Sequence, residues 1–66
     1  MPPQCQAIQD QITVLEGEIQ SIEDELNNAG SDTPIKAVLA LAKEAMRLNR
    51  QLSSLQKELV ACLLQN

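Results

Sequence analysis

The stretch Asn28-Ala29-Gly30-Ser31-Asp32-Thr33-Pro34 lies almost at the midpoint of a 66-residue chain and decides how the rest is arranged. Gly30 follows the last apolar position of a helical run, where a helix commonly ends on a left-handed residue, a conformation that costs Gly little. Pro34 has no amide hydrogen and a fixed φ, which suits the first turn of a new helix. Thr33, directly before it, carries the hydroxyl expected to cap that helix, with Asp32 and Ser31 as the next candidates. One uninterrupted helix would have to hold both Gly30 and Pro34 in its interior, and an interior proline alone costs about 3 kcal/mol. The stretch therefore predicts a first helix over about 3–29, a turn over 30–33 and a second helix over about 34–64.

Before the turn, apolar residues recur as Cys5, Ile8, Ile12, Leu15, Ile19, Ile22, Leu26 and Ala29, in alternating steps of three and four. This is the a/d pattern of a heptad, which keeps one narrow seam against a partner helix. Val14 is the apolar exception off the seam, and Gly17 falls at the outward f position. The acidic run Glu23-Asp24-Glu25 sits toward the unfavourable, C-terminal end of the helix dipole. It reads as a solvated face or as a contact for basic groups on a second chain.

After the turn the seam continues as Val38, Leu41, Ala45, Leu48, Leu52, Leu55, Leu59 and Cys62, with the same alternating steps. Folding the chain back at the turn pairs Cys5 with Cys62, Ile8 with Leu59, Ile12 with Leu55 and Leu15 with Leu52. It then pairs Ile19 with Leu48, Ile22 with Ala45 and Leu26 with Leu41. Each layer joins an a residue to a d residue, as an antiparallel pair requires. The expected fold is all-α: an antiparallel two-helix coiled-coil hairpin, one domain over 1–66.

The second helix carries a further apolar strip at its e and b positions: Ile35, Leu39, Ala42 and Met46, then Val60 and Leu63. One partner helix cannot cover both the seam and this strip, and an uncovered strip in a small chain marks an association surface. Asn49, Ser53 and Gln56 interrupt the strip, and Ile35 and Leu63 lie equally far from Asn49. Two copies packed antiparallel with Asn49 near a two-fold axis would match one apolar cluster to the other. The polar Asn49 could fix register there. A dimeric four-helix bundle is thus expected, with a trimer or another helical protein as the alternative occupant.

Cys5 and Cys62 are the only cysteines, and the register brings them into one layer at the open end. They read as an intramolecular disulfide, worth about 4 kcal/mol on the chain-entropy model. Two reduced thiols packed as small apolar residues, an interchain bridge or a redox pair are the other readings, and a metal site is the weakest. An oxidising compartment follows if the bridge forms, and the cytoplasm is the default otherwise.

Lys36, Lys43, Arg50 and Lys57 recur every seven residues at f, with Arg47 beside them at c. The row is a solubilising back, a partner for acidic groups of a neighbouring hairpin, or a phosphate contact. The last of these gives the alternative function, an RNA- or DNA-binding adaptor. A formal charge of −4 and the absence of aromatics speak against it, since neither net attraction nor base stacking is available. The chain has no His, and no Gly-rich phosphate loop, nucleophile motif or metal-ligand cluster is seen, so no enzyme, metal or cofactor is expected. No run reaches the ~20 apolar residues of a membrane span, and no signal peptide is recognised. The expected role is a small structural or protein-interaction module that self-associates through its second helix.

Overall fold

The computed structural model describes residues 1–65 and contains two helices, α1 (Pro3–Asn27) and α2 (Ile35–Gln65), packed against each other as a hairpin. The molecule measures 51 × 14 × 11 Å, the dimensions of two helices side by side. Asn66 lies outside the described residues.

The start of α1 follows from its prolines. Pro3 occupies the first turn, where a missing N–H leaves nothing unsatisfied, and the Pro2 carbonyl accepts from the Gln6 amide at 2.8 Å. The exposed face is tied by side-chain bonds one turn apart. Gln6 donates to Asp10 at 2.9 Å and Gln20 donates to Asp24 at 3.0 Å, a spacing that supports a helix by a few tenths of a kcal/mol per pair.

The turn forms where expected but is built differently. α1 ends at Asn27, two residues short of the expected Ala29. Asn27 and Asn28 are weak helix formers, and the acidic run just before them opposes the dipole. Asn28 keeps a right-handed backbone (φ −94°, ψ 0°), and the Ala29 amide bonds Leu26 at 3.2 Å, tightening the last turn. No glycine among the described residues has a positive φ, so Gly30 is not the left-handed terminator that its position suggested. Thr33 is not the helix cap either. Its hydroxyl accepts from the Gly30 amide at 3.1 Å, while its own amide donates to the Gly30 carbonyl at 3.0 Å. This reciprocal pair closes the loop on itself. Pro34 then sits one residue before α2, its carbonyl accepting from Ala37 and Val38 at 3.0 and 3.2 Å.

The seam is as the periodicity reads. Every a and d position named above is buried or half-buried in both strands of the hairpin. Leu15, Ile19 and Leu48 form the central cluster, with Ile22, Leu52 and Leu55 packed on it. Cys5 at the open end is fully buried and bonded to Cys62, with Cα atoms 5.8 Å apart. That bond fixes the layer register at the end where the chain is otherwise unconnected.

Candidate functional site

α2 offers the largest unused apolar surface. The seam residues of a helix occupy one stripe, and in heptad order around the axis the positions run a, e, b, f, c, g, d. The e and b residues therefore stand beside the seam, turned away from α1. Ile35, Leu39, Met46, Val60 and Leu63 are between 44% and 76% exposed, while Ala42, the smallest member, is half-buried beside the seam. Their exposure exceeds that of any seam residue. Asn49, at the centre of the strip, is exposed and donates to the Ala45 carbonyl of its own helix at 2.8 Å. Three large apolar side chains outside the strip also face solvent. Met1 at 62% precedes α1, Val14 at 63% lies on the c row of α1, and Leu64 at 82% sits beside Val60 and Ala61 at the end of the strip.

The basic row is brought into line by the heptad, and Lys36, Lys43, Arg50 and Lys57 are all exposed at f. Arg47 does not belong with them as a contact for outside groups. Its guanidinium grips Glu44, one nitrogen donating to Oε1 in an ion pair and Nε donating to Oε2 at 3.1 Å, and it also reaches Gln51 at 3.3 Å. The hydrogen bond from Arg47 holds the Glu44 carboxyl below its ordinary value, with the guanidinium charge assisting. The same bond raises Arg47, with further help from Glu18 across the hairpin. The i,i+3 spacing of Glu44 and Arg47 was the sequence signal for this pair. Among the described residues it is the one ion pair, so the f-row cations are left to solvent or to a partner.

A shallow groove of about 860 Å³ runs along the opposite flank, its walls including Glu18, Val14, Arg47 and Gln51. Its lining takes in seam leucines, the c and g rows, and Asp10 and Arg50 from f, and Gln11 and Glu18 across from Gln51 place the g rows of the two helices on this flank. The e rows must then face each other on the flank that carries the apolar strip. Gln9, Glu16 and Glu23 are the e residues of α1. Of these, Glu16 and Glu23 are exposed and Gln9 is half-buried.

Cys5 and Cys62 complete the set of candidate residues, and their bridge consumes both thiols. Among the described residues, no group of three or more His, Cys, Asp or Glu is placed to hold a metal ion. No described helix is long and apolar enough to cross a membrane. No protein-family model, curated protein or solved structure matches this chain.

Proposed function

We propose that this protein is a small interaction module that associates with itself through the outer face of α2 and has no chemistry of its own. The observation that carries the reading is the exposed strip of Ile35, Leu39, Met46, Val60 and Leu63 on a molecule only two helices thick. A face of that kind gains from burial at about 25 cal/mol per Å² of apolar surface removed from water. Pairing two hairpins by this face makes a dimeric four-helix bundle.

Sedimentation equilibrium over a wide concentration range tests it. The expected result is a reversible dimer that Leu39→Asp converts to a folded monomer, because Leu39 is off the seam and the hairpin does not depend on it. A monomer at every concentration would remove the reading.

One observation favours a second reading, an adaptor for RNA or DNA. Four cations stand in a line on α2 outside any ion pair of the described residues. Such an adaptor would bind with a steep salt dependence that charge reversal at Lys43 and Arg50 abolishes. The acidic balance and the lack of stacking side chains weigh against it. A mobility shift at low salt separates the two readings.

A further inference from the structure

We infer that the second copy docks parallel to the first, with both turns at the same end, and that its acidic α1 rather than its basic row lies against the cations of α2. The inference rests on self-association through α2 and replaces the antiparallel pairing expected from the sequence, because the apolar strip alone fits either orientation. A strip matched to itself works both ways. Run parallel, each side chain meets its own mate; run antiparallel about Asn49, Ile35 meets Leu63.

Charge placement decides between them. The strip on α2 is bordered on one side by α1 and on the other by the f row of Lys36, Lys43, Arg50 and Lys57. A two-fold axis that relates antiparallel helices lies across them, so each flank meets the same flank of the mate. That arrangement sets one basic row beside the other, with Arg50 near its own copy at the axis. A two-fold axis along the helices exchanges the flanks instead. The f row of one copy then faces α1 of the other, and the α1 side turned toward it is the e row that borders the strip.

The levels agree as well. The Cys5–Cys62 bridge and the layers behind it place α1 residues opposite α2 residues whose numbers total 67. Glu16 therefore stands one residue from the level of Arg50, and Glu23 one residue from Lys43. One residue is about 1.5 Å of helix rise, well within the reach of these side chains. Both rows repeat every seven residues, so the match recurs along the bundle, and the symmetry doubles each contact. Asn49 still meets its own mate at the centre, as a register-setting polar residue should.

The test labels the turn. Ser31 is exposed in the turn, outside the strip, and can carry a spin label as Ser31→Cys while Cys5 and Cys62 stay bridged. Parallel docking brings the two labels to on the order of 20 Å, a helix-packing distance plus two linkers. Antiparallel docking holds them near the 51 Å length of the hairpin and overturns the inference while leaving self-association intact. A monomeric sample yields no intermolecular distance and overturns both. Charge exchange gives an independent readout. K43E/R50E is expected to weaken the dimer roughly tenfold or more at low salt, and adding E16K/E23K to the same chain to restore it. Tighter association of K43E/R50E alone, from relief of two facing basic rows, would overturn the orientation.

Discussion

Gly17 and Gly30 show how differently one residue type acts in this chain. Gly17 lies inside α1 on the solvent side, and a Cβ built on it meets nothing within 4 Å. Gly17→Ala is therefore expected to stabilise the hairpin by about 1 kcal/mol, the helix-propensity difference between the two residues, read as a higher midpoint in thermal unfolding. Gly30 would be costly to replace if it were left-handed, but it is not. The Cβ of Gly30→Ala comes within 2.8 Å of the Asp32 carboxylate oxygen, the far end of a side chain free to swing into solvent. The expected change in stability is within about 0.5 kcal/mol, and a loss of several times that would restore the left-handed assignment. Leu48 stands at the other extreme. It is 2% exposed at the centre of the cluster with Leu15 and Ile19, and Leu48→Ala is expected to cost about 2–5 kcal/mol in denaturant unfolding. Leu39→Ala, on the outer strip, should leave the unfolding of the hairpin itself nearly unchanged.

Within α2, the Glu44–Arg47 pair contributes to stability in a way that pH can switch. Glu44 has its pKa lowered in the folded chain, so its contribution is present above the ordinary carboxylate range and is lost as pH falls through the lowered folded value. Glu44→Gln should therefore lower the melting temperature slightly at neutral pH, with a difference that closes on acidification and shrinks in salt. A difference independent of pH would show that the pair does not form in solution. The pair is also a measure of how far sequence reading reaches. The seam of each helix was legible because a step pattern of three and four is set by the helix period, which no tertiary contact overrides here. The layer pairing was legible because a tight turn leaves one way to fold back. The turn's inner geometry was not, because it depends on which of several polar groups finds which donor. Thr33 could satisfy α2 or the Gly30 amide, and nothing in the sequence ranks those bonds. Spacing alone likewise puts Arg47 with the basic row, although Glu44, three residues away, competes for it on the same helix face. The apolar strip was visible from its spacing, whereas the flank it shares with Glu16 and Glu23 follows from how the two helices face each other.

A chain of this length folded as a globule would have a radius of gyration of about 11 Å, whereas the hairpin measures 15.3 Å. It has one seam in place of an interior, so its stability rests on a short list of layers and on the covalent link at the open end. Cys5 and Cys62 are 57 residues apart, and on the chain-entropy model a loop of that size restricts the unfolded chain by about 4 kcal/mol. That is a large fraction of the 5–15 kcal/mol typical of whole domains. Reduction, or Cys5→Ser with Cys62→Ser, is therefore expected to lower the unfolding free energy by about that amount. Hydrogen exchange tells such a global loss from mere fraying of the last layer. If the bridge acts by holding the last layer closed, reduction will accelerate exchange near Cys5 and Cys62 and leave the amides around Leu15, Ile19 and Leu48 as slow as before. If it acts on the unfolded state, those central amides, which exchange through global opening, will speed up by the full factor, roughly a thousandfold for 4 kcal/mol. The second outcome is the one expected, because the central layers are packed independently of the bridge and lose nothing locally when it breaks.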